Sequence, residues 1–205
     1  MIRTDSRQII LSILGISILI IAFVGISYAA FATQSFESGI STGTISLTLD
    51  NPTDFISIQN AMPISDEQGM ILTGEGNVYD FTVHTILSEK TTINYEISAE
   101  KIDTGNPQLD NDSIRLYLEK QTTNGFVSTP ITSSPQPFIS IDENSFLGSK
   151  AGTMILYSDT FSNSTSYDQE VSQKFRLRIW VDEDTIIDSV SRDFKIKLNV
   201  TAKVI

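Results

Sequence analysis

The chain has no cysteine, one histidine and one tryptophan among its 205 residues, and each scarcity removes a class of chemistry. Without cysteine there is no disulfide framework, no thiol nucleophile and no thiolate-bound zinc. A single imidazole, His84, cannot build a His-Glu-x-x-His zinc site. Positive charge is scarce as well: 14 Lys and Arg stand against 25 Asp and Glu, a net charge of −11. That balance argues against nucleic acid and anionic lipid surfaces as partners, since both attract basic faces. Nothing in the pattern calls for a cofactor. Long apolar runs are missing too, except for one at the start.

That run extends from Ile9 to Ala32 without a charged residue, behind Arg3 and Arg7. As a helix it would be roughly 36 Å long, enough for a hydrocarbon core of about 30 Å. The positive flank stays inside, so residues 33–205 are sent outward. The length of the stretch favours a retained anchor, because a secretory signal has an apolar region of about 7–15 residues. Its end favours cleavage: Tyr28-Ala29-Ala30-Phe31-Ala32 offers Ala30-x-Ala32, cut after Ala32, with a cut after Ala30 as the rival. The expected organisation is therefore a signal peptide or N-terminal membrane anchor over 1–32, a flexible polar segment over 33–42, and an ectodomain over 43–205. The implied partners are a signal peptidase during export and the membrane before cleavage. The location is extracellular or at the cell surface.

Period-two alternation runs through the ectodomain, the mark of half-buried antiparallel strands. Ile45, Leu47 and Leu49 alternate with Thr44, Ser46 and Thr48; Tyr79, Phe81 and Val83 with Asp80, Thr82 and His84. Ile93, Tyr95, Ile97 and Ala99 make another face, and Ile114, Leu116 and Leu118 a fourth. The clearest examples come last, Phe175-Leu177-Ile179-Val181 and Phe194-Ile196-Leu198-Val200-Ala202-Val204. Weaker strands are expected over 55–60, 136–141 and 153–161, with no helical period after residue 33. About eight to ten strands with one apolar face each are best buried by stacking two sheets, which predicts an all-β, antiparallel β-sandwich of jelly-roll type behind one N-terminal apolar helix.

Candidate chemistry is thin. Gly39-Ile40-Ser41-Thr42-Gly43 matches Gly-x-Ser-x-Gly, but a nucleophile elbow needs a strand before and a helix after it, and here a polar tail precedes a strand. The reading is that the protein is no enzyme, with no catalytic, cofactor-binding or metal residues. Acidic loops at Asp103, Asp110 and Asp112 and at Asp182-Glu183-Asp184 with Asp188 lack the spacing of an EF-hand, and a solvated loop is the favoured reading over calcium binding. A basic stripe is less ordinary. Lys174, Arg176, Arg178, Lys195, Lys197 and Lys203, with Trp180, occupy the polar faces of the last two strands. Paired as a hairpin across the 182–191 loop, they would make a positive band suited to head-to-tail association. The favoured reading is lysines protecting an edge strand.

The leader junction Tyr28-Ala29-Ala30-Phe31, followed by Ser38-Gly39-Ile40-Ser41-Thr42-Gly43-Thr44-Ile45-Ser46-Leu47, resembles the TasA/camelysin family of exported bacterial matrix proteins. Asn60-Ala61-Met62-Pro63-Ile64-Ser65-Asp66 resembles the family's next turn loosely, without its Gly after the Pro. The resemblance is firm over residues 20–50 and weak elsewhere. It implies a jelly-roll subunit of extracellular fibres, cut by a dedicated signal peptidase, whose freed N-terminal segment adds as a strand to a neighbour. Phe31, Phe36 and Ile40 are the large apolar side chains of that segment, and Phe36 and Ile40 would share one face of a strand. The expectation is a secreted, self-associating structural protein. The alternative is a membrane-anchored extracellular binding module.

Overall fold

The computed structural model describes residues 48–50, 55–59, 62–73, 76–186 and 190–205. The expected N-terminal helix and the segment 33–42 lie outside them. Among the described residues no helix is long and apolar enough to cross a membrane.

Among the described residues nine strands form two antiparallel sheets: β1 (Thr48–Asp50), β2 (Ile56–Gln59), β3 (Val78–Leu87), β4 (Thr92–Lys101), β5 (Ile114–Thr122), β6 (Gly125–Ser128), β7 (Thr153–Ser162), β8 (Gln169–Val181) and β9 (Asp193–Val204). One sheet has the order β1-β3-β8-β5-β6 and the other β2-β9-β4-β7. Apart from the β5–β6 hairpin, every step along the chain changes sheet. This is the all-β antiparallel sandwich that the alternation implies. Its core is the inward set of each strand: Phe81 and Val83 from β3, Tyr95 and Ile97 from β4, Phe175, Leu177 and Ile179 from β8, Phe194 and Ile196 from β9. Phe81 stacks on Phe175 at 5.5 Å and Tyr95 on Phe161 at 4.5 Å, so aromatic pairs add to the buried area.

Two local expectations are corrected. Residues 136–141 form no strand; Gln136 makes only an isolated bridge to Leu116. A short helix, α1 (Asp66–Met70), does exist. Ser65 caps it by accepting from the Gln68 amide, and Asp66 and Glu67 in its first turn suit the positive end of the helix dipole. Five residues are too few to show a helical period, which is why alternation alone does not reveal it. The segment is tied down by Ile64, whose amide donates to the Val181 carbonyl at 3.0 Å, and by Leu72, whose carbonyl accepts from Arg178 Nε at 2.9 Å. It therefore covers the outer face of the five-stranded sheet at the end of β8.

Candidate functional site

The sandwich separates the basic stripe into two. β8 lies in the five-stranded sheet and β9 in the four-stranded one, so the hairpin across 182–191 does not form. Because the chain changes sheets after β8, the two polar faces point to opposite sides of the molecule. On β8 the cations meet acids of the adjoining strands. Asp80 of β3 takes a bidentate pair from Arg176 (2.7 and 2.9 Å) and lies 3.4 Å from Lys174, while Arg178 pairs with Glu119 of β5. Hydrogen bonding and charge from Asp80 strengthen the hold of Arg176 on its proton, and Arg176 also lies over the Phe126 ring. Arg178 and Trp180 are not surface residues at all: they are 7% and 1% exposed, beneath the segment that carries α1. Burial pushes the Arg178 pKa down.

The cations of β9 face the other side. Lys195 lies 3.9 Å from the centre of the Phe55 ring, Lys197 stands opposite Glu100 on β4, and Lys203 donates to the Phe146 carbonyl while covering its ring. No continuous positive band results. Of the acidic loops, Asp103 and Asp182 are engaged locally, and Asp188 lies outside the described residues. Asp103 accepts from the Gly105 amide, and Asp182 pairs with Arg115 and accepts from the Asp184 amide. Among the described residues no three His, Asp or Glu side chains gather as a metal set. His84 sits on β3 between Thr48 and Ser172. Ala30, Phe31, Ala32, Phe36, Ile40 and Ser41 lie outside the described residues.

Among the described residues, what the structure does leave open is the edge strand β7. It runs for ten residues, Thr-Met-Ile-Leu-Tyr-Ser-Asp-Thr-Phe-Ser, and pairs with β4 on one side only. The Ile141 amide reaches the Thr153 carbonyl at one end; from Met154 to Ser162 no further backbone partner occurs among the described residues. Natural edges are commonly blunted by proline, lysine, short length, bulges or inward-pointing charges. β7 lacks the first three, but its register with β4 shifts at Leu156, opposite Ile97 and Ser98, and Asp159 points toward the other sheet. Its one charge, Asp159, is neutralised from the other sheet. Lys120 of β5 donates to Asp159 Oδ2 at 2.7 Å and to the Tyr157 hydroxyl at 2.8 Å, and that hydroxyl donates to Asp159 at 2.5 Å. Partial burial works against both ions, yet the hydrogen bonds between them win: Asp159 is held below and Lys120 above its ordinary range. Alternation in the sequence marks β7 only as a weak strand, and nothing in it shows which strand ends at an edge.

The flank opposite β7 belongs to β1. Lys120 of β5 and Phe175 of β8, whose ring centre is 5.2 Å from that of Tyr157, set those strands over β7. β1 lies two places beyond β8 in its sheet.

No family model matches the chain, and no curated protein does. Among solved structures the chain is similar to VP2 of infectious bursal disease virus, from a subviral particle, at 8% identity and a TM-score of 0.35. That match covers 83% of this chain and 36% of the viral one, so the chain spans about a third of the VP2 length. It is also similar to TmCBM61 in complex with β-1,4-galactotriose, at 4% identity and a TM-score of 0.20, over 78% of this chain and 88% of that one. At these scores neither likeness carries a functional argument.

Proposed function

We propose that the protein is a non-enzymatic structural subunit, exported to the cell surface or beyond, that assembles into matrix fibres by β-strand addition. The observation that supports this most is the open edge of β7, ten residues long, with no proline or lysine and with its one charge, Asp159, paired to Lys120. The donor is residues 31–42 of a second copy, the segment the family resemblance implies. Chain order supports a polar arrangement. The described sandwich begins at β1 on one flank, and the open edge is on the other. A donor leaving one flank and an acceptor on the opposite flank make a head-to-tail contact, which gives an open filament unless a rotation closes it.

Ser158 tests the reading, because it is exposed at the middle of the free edge. Ser158→Lys should leave thermal unfolding within about 0.5 kcal/mol of wild type, as surface changes do. Polymer formation should be lost, since lysine on an edge strand opposes pairing. A variant that polymerises like wild type would remove β7 as the acceptor. The alternative of a membrane-anchored module rests on the length of the apolar stretch 9–32. It is favoured instead if the native protein begins at Met1 and stays in the membrane fraction as a monomer.

A further inference from the structure

A roofed polar chamber lies on the outer face of the four-stranded sheet, beside the β7 edge, where Glu96 of β4 stands opposite Ser158 of β7. Its floor is Glu96 and Ser98 of β4 and Thr201 of β9; Thr201 stands directly across from Glu96. The roof is the turn Ser145–Ser149. Ser145 Oγ donates to Glu96 Oε1 at 2.5 Å and accepts from the Gly148 and Ser149 amides at 3.1 and 2.9 Å. The Ser145 amide closes the turn on the Ser149 carbonyl at 2.8 Å. Gly148 packs over Thr201 at ordinary contact distance, since a Cβ on it would lie 3.7 Å from Thr201 Cβ.

The contents of this chamber are unbalanced. Glu96 is 5% exposed, Ser98 1% and Ser149 2%. The Ser98, Ser149 and Thr201 hydroxyl oxygens are buried and make no hydrogen bond among the described residues. No ion pair to Glu96 occurs among the described residues. Lys203, on the same face of β9, turns to the Phe146 carbonyl instead. A carboxylate removed from water is strongly disfavoured unless it is paired or coordinates a metal. Ser98 and Thr201 share the Glu96 face of the sheet and Ser149 belongs to the turn that bonds to Glu96 through Ser145, each with lone pairs to spare.

We propose that the chamber binds a hard metal cation, with the Glu96 carboxylate as the charged ligand and the Ser98, Ser149 and Thr201 hydroxyls as neutral ones. Hard oxygen donors suit calcium, with water completing its shell of six to eight oxygens, and a site with one carboxylate belongs with the weak extracellular modules, half-saturated at about 0.1–1 mM. The ion would fasten the turn 145–149 to the sheet, stabilising the fold by binding the native state alone.

The test uses the full-length chain in mild detergent, stripped of divalent ions with a chelator. It is titrated in parallel with calcium, magnesium and sodium while unfolding is followed by Trp180 fluorescence. Calcium should raise the midpoint by about 2–5 °C, saturably. Glu96→Gln, which keeps the size of the side chain and can still accept from Ser145, should abolish that shift. Ser98→Ala and Thr201→Val should each weaken half-saturation by roughly tenfold, and they decide the matter if Glu96→Gln does not fold. A shift that is equal in wild type and in the variants would mean ions on the acidic surface only. No shift with any of the three ions would mean ordered water only. Either result overturns the proposal.

Discussion

Gly69 lies flat on the indole of Trp180: a Cβ at position 69 would stand 2.1 Å from Trp180 Cε2 and 2.3 Å from Cδ2. Glycine is required there by contact with a fixed ring. Gly69→Ala must push α1 off the sheet, at a cost of about 1–3 kcal/mol for forced overpacking. The expected outcome is a lower unfolding midpoint together with red-shifted emission from the protein's one tryptophan. Unchanged emission and stability would show that α1 does not seat on Trp180.

Asp80 gives a pH signature. Its carboxyl is held below the ordinary 3.8 chiefly by the hydrogen bond from Arg176, against a smaller opposing effect of burial. A depressed carboxylate stabilises the fold above its ordinary pKa, and the contribution fades as pH falls through the lower folded value. Asp80→Asn should therefore cost about 1 kcal/mol at pH 7, the upper end for a half-exposed pair. The gap to wild type should begin to narrow below about pH 4 and close as pH falls through the lower folded value. Denaturant melts of both proteins across pH check this, and a gap that persists in acid would contradict it.

Asn163 sits in an Asn-Ser-Thr sequon, yet its side chain is buried and structural. Nδ2 donates to the carbonyls of Leu87, Ser88 and Tyr167 at 2.9, 3.0 and 2.8 Å, and Oδ1 accepts from the Thr165 amide at 2.8 Å. Asn163→Ala leaves buried carbonyls unpaired and should destabilise by about 1–3 kcal/mol. Faster amide exchange is expected at Lys90, which bonds to the Thr165 carbonyl across the same corner. A neutral effect on both readouts would contradict this role.

Faces were legible in the sequence where partners were not. Alternation put Phe175, Leu177, Ile179 and Val181 on one side of a strand, and they are the core of β8. The same alternation says nothing about which strand lies beside which. For that reason Lys174 and Lys195 could be imagined on one hairpin, although their strands belong to different sheets. Trp180 follows the polar positions of β8 and would read as exposed. Its cover is a five-residue helix whose available signal was Ser65-Asp66-Glu67-Gln68, a capping serine with acids in the first turn. The edge of β7 had no local signal, because being last in a sheet is a property of the whole topology. The Glu96 chamber depends on a turn about fifty residues away.

The central claim, assembly by strand addition, is tested most directly by the state of the protein carrying its native N-terminus. Purified at high concentration, it should sediment as polymer and show filaments by electron microscopy. The same protein lacking residues 31–42 should remain a folded monomer with nearly unchanged thermal unfolding. If the protein with its native N-terminus stays monomeric, or if the deletion unfolds the sandwich, the account is contradicted.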